Sequence, residues 1–230
     1  MRRIVSFTIV LSLFLCIFSC YGYAIEGSGL NQYMCGDNVS ASIENGVLTI
    51  SGTGKMYDYL EVYGDGNYEV DGYGITGHGK DGDGEYYYRD IPWPTERPST
   101  DSQSGDDVDY DDCIHKVIVE EGITYLGANA FHDMKYLMDI SLPSTLVKIG
   151  TGCFYGCGKL KEITIPASVT ELGEKDTANR FAMFEYCGGL EKVIIPENSR
   201  LKYIESGAFY SAGNFDGLEV YIPEQVEEIG

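Results

Sequence analysis

Short apolar runs that end at a proline recur through the second half of this 230-residue chain. The anchor positions are 23, 23, 30 and 27 residues apart, at Glu120, Pro143, Pro166, Pro196 and Pro223. Each unit approximates the pattern L-x-x-I-x-I-P-x-x-V-x-x-I-G-x-x-A-F-x-x-C. This periodicity constrains the fold more than any other feature, because a unit of this length cannot bury its apolar face alone. Stacked units bury it together, which predicts a solenoid.

Within a unit, the apolar run alternates as a strand with one buried face does. Ile163 and Ile165 alternate with Glu162 and Thr164, and Pro166 ends the strand because it cannot donate to a ladder. The sequence therefore predicts a parallel β ladder with turns or short helical pieces on its outer side. Its two buried columns are Val117, Ile140, Ile163, Val193 and Val220, and Val119, Leu142, Ile165, Ile195 and Ile222.

The residues between the buried positions point outward and form two further columns. Ile118, Ile194 and Tyr221 are apolar or aromatic on a face that solubility alone would make polar, and such residues are typical interface anchors. We predict a binding surface here, with a merely solvated sheet face as the alternative. The predicted site comprises Lys116, Ile118, Asp139, Ser141, Glu162, Thr164, Lys192, Ile194, Glu219 and Tyr221.

Two cysteines four residues apart, Cys153 and Cys157, suggest a metal or redox site, but the repeat alignment favours another interpretation. The aligned positions in other units are Met134, Cys187 and Ala212 for Cys157, and Ala130, Met183 and Ala208 for Cys153. Positions that accept these residue types are small or soft apolar core positions. The three histidines are scattered and give no zinc-ligand spacing. We predict no metal and no cofactor.

Residues 1–24 have the pattern of a secretory signal peptide, with Arg2 and Arg3 before an apolar run and Ala24 at a small-residue cleavage site. The run is short for a membrane-spanning helix. A lipoprotein anchored at Cys20 is the alternative. Either way the sequence predicts a secreted or cell-surface protein without membrane insertion after signal cleavage.

The charge of the chain narrows the class of partner. Its 36 acidic and 16 basic residues give a formal charge of −20, and removing Arg2 and Arg3 leaves 14 basic residues and a charge of −22. Such a surface repels nucleic acid and anionic membranes. The partner that we predict for the outward-facing columns is an extracellular protein or glycan.

At this level of detail the units resemble the BspA-like leucine-rich repeats of bacterial and protozoan surface proteins. The resemblance covers residues 114–230, and residues 35–59 resemble the β-hairpin that often precedes such arrays, with Glu44, Asn45 and Gly46 as its turn. It implies a leucine-rich-repeat solenoid preceded by a small hairpin cap region at residues 25–113. It also implies a module that mediates adhesion to proteins or cells, without catalysis.

The cap region contains a Gly/Tyr/Asp-rich segment and an acidic segment, which we predict to be solvated loops, and Trp93 is predicted to cap the first repeat. Asp81, Asp83 and Glu85 alternate as calcium ligands do, but the expected glycine and distal glutamate are missing. Outside the repeat columns lie Cys35 and Cys113, for which we predict a disulfide that staples the hairpin to the first repeat.

Other functions have less support from the sequence. No nucleophile elbow, phosphate-binding loop or zinc-protease motif occurs, so we predict no enzyme. A structural spacer or surface-layer module is one alternative, and a carbohydrate-binding module that uses Tyr86, Tyr87 and Tyr88 is another. The last unit, which begins before Pro223, is incomplete, and we expect the array to be part of a longer one.

Overall fold

The computed structural model describes residues 31–59, 61–63, 77–81, 84–88, 93, 113–175, 181–214 and 217–230. The predicted signal peptide, the lipidation alternative at Cys20, the acidic segment and Asp83 lie outside the described residues.

The described part of the chain begins with three antiparallel strands, β1 (Asn31–Gly36), β2 (Val39–Glu44) and β3 (Val47–Gly52). The β2–β3 turn is Asn45-Gly46, with φ values of 50° and 71°. Two left-handed residues suit a hairpin turn whose twist matches its strands, and Asn-Gly is the pair that adopts them most readily. The predicted hairpin is therefore present.

The hairpin continues directly into the repeats. Strand β3 pairs in parallel with β8 (Lys116–Val119), which pairs with β10 (Asp139–Ser141). A second group of parallel strands follows, namely β12 (Glu162–Thr164), β14 (Lys192–Ile194) and β16 (Glu219–Val220). We call these strands together the first ladder, and their register within each group is the one that the repeat alignment predicts.

A second parallel ladder runs along the array, which the sequence analysis did not predict. Its order is β4 (Gly54–Lys55), β9 (Ile123–Leu126), β11 (Lys148–Ile149), β13 (Glu171–Leu172), β15 (Tyr203–Ile204) and β17 (Glu228–Ile229). Turns close each described unit, and these described segments contain no helix. The predicted outer side is thus made of a short ladder and turns.

Aromatic rings run along the core from unit to unit. Neighbouring ring centroids in the series Phe131, Phe154, Phe184 and Phe209 lie 5.5–5.7 Å apart in stacked geometry. Trp93 is 3 % exposed and lies 6.0 Å from the Phe131 ring, so it caps the series as predicted. Such ring pairs add to the free energy of burial.

The Gly/Tyr/Asp-rich segment, residues 63–90, was predicted to be a loop, and this prediction is wrong for two stretches of it, which form strands together with the residues just before the segment. Strands β5 (Glu61–Tyr63), β6 (Gly77–Asp81) and β7 (Gly84–Tyr88) form an antiparallel sheet in the order β5-β7-β6. Tyrosine favours strands, and here this preference outweighs the glycine content. Tyr86, Tyr87 and Tyr88 all lie on β7.

The disulfide predicted between Cys35 and Cys113 is absent, since both cysteines are buried and free. Cys35 lies on β1 near the β1–β2 turn, whereas the carbonyl of Cys113 lies beside Gly46 at the opposite end of the hairpin. Six strand residues separate these ends, or about 20 Å. A disulfide requires Cα atoms within about 7 Å of each other.

Candidate functional site

The outward-facing residues of the first ladder form one surface, which we call the ladder surface. It comprises Lys116, Ile118, Asp139, Ser141, Glu162, Thr164, Lys192, Ile194, Glu219 and Tyr221, as the sequence analysis proposed. The residues that alternate with them are buried or half-buried. The strand alternation therefore places all ten predicted residues on one face of the ladder.

Charges on the ladder surface are mostly paired across neighbouring strands. Lys116 Nζ lies 2.7 Å from Asp139 Oδ2, and Lys192 Nζ lies 3.3 Å from Glu219 Oε1. Glu162 is exposed between these pairs and forms none of the ion pairs found in the described part of the chain. Exposed pairs stabilise a fold little, so the alternating pattern of charge on this surface is set by the strand register, which places Lys116 beside Asp139 and Lys192 beside Glu219.

Apolar side chains accompany these charges. Ile118 and Ile194 are half-buried, and Tyr221 is 57 % exposed. Their partial exposure leaves apolar area that a binding partner could cover.

The first ladder is interrupted at its centre, between β10 and β12, where the strands belong to separate hydrogen-bonded sheets. A cleft of about 660 Å³ opens there. Its walls include five residues of the predicted site, Lys116, Asp139, Ser141, Glu162 and Thr164, together with Ile140, Leu142 and Ser168. We call this opening the junction cleft.

Two further features of the same junction distinguish it from its neighbours. Ile140 and Leu142 are only half-buried, whereas the aligned Ile163 and Ile165 are buried. The Ser168 hydroxyl oxygen is buried and has no hydrogen-bond partner.

Polar side chains at positions aligned with Ser168 connect adjacent units. Thr145 Oγ1 accepts from Gly122 N at 2.9 Å and donates to Ile123 O at 2.9 Å. Gln225 Nε2 donates to Glu197 O and Ser199 O, at 2.9 and 2.7 Å. These bonds join neighbouring turns, a connection that Ser168 does not make. Sequence reasoning missed this difference in hydrogen bonding because Ser168 and Thr145 carry the same functional group.

Glu205 is a buried carboxyl that the sequence analysis also missed. It is 4 % exposed and accepts a hydrogen bond from Met183 N at 2.5 Å. Burial raises the pKa of Glu205, against the opposing effect of hydrogen bonds from Thr151 and Met183. The aligned positions in the other units are glycines, at Gly127, Gly150, Gly173 and Gly230. The break in this glycine column was the signal in the sequence.

Two kinds of feature are absent from the described ranges, namely a cluster of metal-ligand side chains and a membrane-spanning helix. No group of three or more His, Cys, Asp or Glu side chains there is arranged to hold a metal ion. No described helix has the length and apolar character needed to cross a membrane.

A family model described as a BspA type leucine rich repeat region matches residues 106–230 in six copies. The chain belongs to this family. The repeats were predicted to cover residues 114–230, which lie within the matched range. The comparison with curated proteins gives no match.

Several solved structures are similar to this BspA-type chain. A leucine-rich repeat protein from Eubacterium ventriosum shares 21 % sequence identity and has a TM-score of 0.44. The match covers 88 % of this chain and 44 % of that protein. A leucine rich cell surface protein from Faecalibacterium prausnitzii shares 17 %, with a TM-score of 0.36 and coverages of 89 % and 51 %. The pneumococcal vaccine antigen PcpA shares 17 %, with a TM-score of 0.41 and coverages of 79 % and 42 %. The chain spans about half the length of the solved structures that it matches.

Proposed function

We propose that this chain is a secreted or cell-surface binding module that mediates adhesion by holding an extracellular protein across the ladder surface. The observation that carries the proposal is the composition of that surface, where half-buried Ile118 and Ile194 and exposed Tyr221 lie among cross-strand ion pairs. Protein interfaces combine such apolar anchors with a polar surround.

The pattern of charge supports a protein partner that binds in one orientation. The strand register places the pairs Lys116–Asp139 and Lys192–Glu219 as alternating charges along the ladder. Fixed charges of this kind contribute to specificity and to the rate of association more than to affinity. The net charge of −20 favours a partner with a basic surface.

The location proposed for the module follows from its family and its first residues. The repeats are of the BspA type and resemble those of bacterial and protozoan surface proteins, and residues 1–24 have the charge, apolar run and small-residue end of a signal peptide. Neither feature calls for catalysis, so the proposal assigns a binding role and no reaction.

The test is a double variant, Tyr221→Ala with Ile194→Ser, which removes both anchors at the far end of the ladder. Biotinylated host surface proteins would be captured on the parent chain, identified, and titrated individually against each variant. We expect the double variant to bind the captured protein at least about 10-fold more weakly with unchanged circular dichroism.

A matched control separates the ladder surface from general loss of exposed apolar area. Tyr210 and Val147 are 64 % and 45 % exposed and lie outside the ladder surface. The Tyr210→Ala, Val147→Ser variant should bind as the parent does. Equal affinity of parent and Tyr221→Ala, Ile194→Ser variant would move the site elsewhere and refute the proposal.

A further inference from the structure

We propose that the junction cleft binds an extended segment of the partner protein and takes an arginine side chain of that segment against Glu162. The inference rests on the proposed function and names the chemistry that the partner presents. It follows from three properties of one junction, which are its geometry, a carboxylate without an ion pair among the described residues and an unsatisfied hydroxyl.

The two units at this junction separate only where their strands meet the ladder surface. At the same junction the second ladder stays paired, with Lys148 opposite Glu171, and on the turn side Phe154 N donates to Met183 O at 3.1 Å. The two units are therefore joined on two sides and separated at the first ladder. The opening faces the surface across which the proposed partner lies.

Charge gives the cleft a preference for a cation. In the column of charged residues on the ladder surface, two ion pairs account for Lys116, Asp139, Lys192 and Glu219. Glu162 remains on the wall of the cleft as an exposed carboxylate without an ion pair among the described residues. A guanidinium suits this site because its planar fork can bond a carboxylate with two N–H groups and still donate to neighbouring hydroxyls. Such hydroxyls are present at Ser141 and Thr164, which also line the cleft.

The rest of the cleft suits the remainder of an extended segment. Ile140 and Leu142 offer half-buried apolar surface to a side chain next to the arginine. Ser168 also lines the cleft, and its buried hydroxyl lacks a partner that a main-chain group of the segment would provide. Buried polar groups in native proteins are rarely left unpaired, so an unpaired hydroxyl lining a cleft is a natural contact for a ligand.

The probe is a terminally blocked pentapeptide, Gly-Xaa-Val-Ser-Gly, in which Xaa is arginine, lysine or citrulline, the neutral isostere of arginine. Each peptide is titrated into the isotopically labelled chain and followed by backbone amide chemical shifts. We expect the arginine peptide to shift the amides of Ser141, Thr164 and Ser168 and to bind about 10-fold more tightly than the citrulline peptide. Equal affinities for arginine and citrulline, or no shift at these amides at millimolar peptide, would overturn the proposal.

A pair of variants isolates Glu162. Glu162→Gln should remove the preference for arginine over citrulline, whereas Glu197→Gln should preserve it. Glu197 makes the same charge change at an exposed position outside the cleft. Ser168→Ala should weaken both peptides equally, since it removes a contact that does not involve the cation. If Glu162→Gln retains the preference, the cation is bound elsewhere and the assignment fails.

Failure of this inference and failure of the proposed function give different results. A captured partner that binds the Glu162→Gln variant normally but loses affinity for the Tyr221→Ala, Ile194→Ser variant refutes the cleft and leaves the ladder surface intact. Normal binding to both variants refutes both.

Discussion

At the scale of single residues, the buried cysteines act as core side chains that also hydrogen-bond the neighbouring unit. Cys157 Sγ donates to Phe131 O at 3.2 Å, and Cys187 Sγ donates to Phe154 O at 2.9 Å. Burial raises the pKa of Cys187 to about 12 and that of Cys157 well above its ordinary value. A thiol that stays protonated is a poor nucleophile and a poor metal ligand.

Replacement of Cys157 by alanine should therefore keep the fold and any binding activity. We expect the free energy of unfolding to fall by about 1–2 kcal/mol, because the variant loses one buried sulfur atom and one hydrogen bond. Urea denaturation measures the loss, and elemental analysis of purified parent and variant provides a check. A metal ion that is present in the parent and absent from Cys157→Ala would contradict the core interpretation.

Glu205 makes the stability of the array depend on pH in an unusual direction. Its pKa in the folded chain lies above the ordinary value of 4.5, chiefly because the carboxyl is buried. Between these two pKa values the folded chain binds more protons than the unfolded chain. The contribution to stability is thus complete below pH 4.5 and is lost as pH rises through the folded pKa.

The Glu205→Gln variant isolates this effect because glutamine does not titrate. We expect the free energy of unfolding of the parent, relative to the variant, to decrease as pH rises above 4.5. Urea unfolding at a series of pH values measures the difference, with Glu197→Gln as an exposed control. Parallel pH profiles of parent and Glu205→Gln would show that the carboxyl does not titrate as proposed.

At the scale of the repeat unit, glycine is required where one turn passes closely over the next. A Cβ atom on Gly150 would lie 2.4 Å from Ala128 N, whereas a Cβ atom on Gly188 would meet no heavy atom within 4 Å. Neither glycine has a positive φ, so the pair tests steric contact without a backbone penalty. Gly150→Ala should cost roughly 3 kcal/mol of stability and Gly188→Ala almost nothing. Thermal or urea unfolding measures the stability of both variants. Equal stability of Gly150→Ala and Gly188→Ala would refute the close approach.

Alternation of buried and exposed residues along the strand is the second feature of each unit that determines its fold. Ile163 is 1 % exposed, and the adjacent Thr164 is exposed. Ile163→Asp should unfold the array because it buries an unpaired carboxylate. Thr164→Asp introduces the same group on the solvent side and should leave circular dichroism and the urea midpoint nearly unchanged. If the Ile163→Asp chain folded, the register assigned to that strand would be wrong.

The features that sequence reasoning found are those that recur at a fixed period. Ile163, Phe154 and Cys157 each occupy a column, so several copies support each prediction. The second ladder was missed because strands such as Lys148–Ile149 are two residues long, too short for an alternating pattern to show. The junction cleft was missed for a different reason, since the separation between units depends on packing across the stack and not on the residue types of one unit.

At the scale of the whole molecule, the array behaves as a one-dimensional stack in which each unit is stabilised by its neighbours. Equivalent backbone bonds test this directly, because Gly173 N donates to Ile149 O at 2.8 Å and Gly230 N donates to Ile204 O at 3.0 Å. The two bonds are similar in length and differ in their surroundings. Leu172, beside the first, is buried, whereas Ile229, beside the second, is 58 % exposed.

We therefore expect amide hydrogen exchange to be slower at Gly173 than at Gly230 by roughly 10-fold or more, and slower at Ile165 than at Ile222. The reason is that opening the last described unit exposes little additional apolar surface. Opening the unit that contains Ile165 and Gly173 instead separates contacts on both of its sides. Exchange should be measured at two protein concentrations, because association at the β16 and β17 edge would add protection that increases with concentration. A monomer with equal protection at Ile165 and Ile222 would mean that the stack unfolds as one cooperative block, which is incompatible with stability built up from neighbour to neighbour.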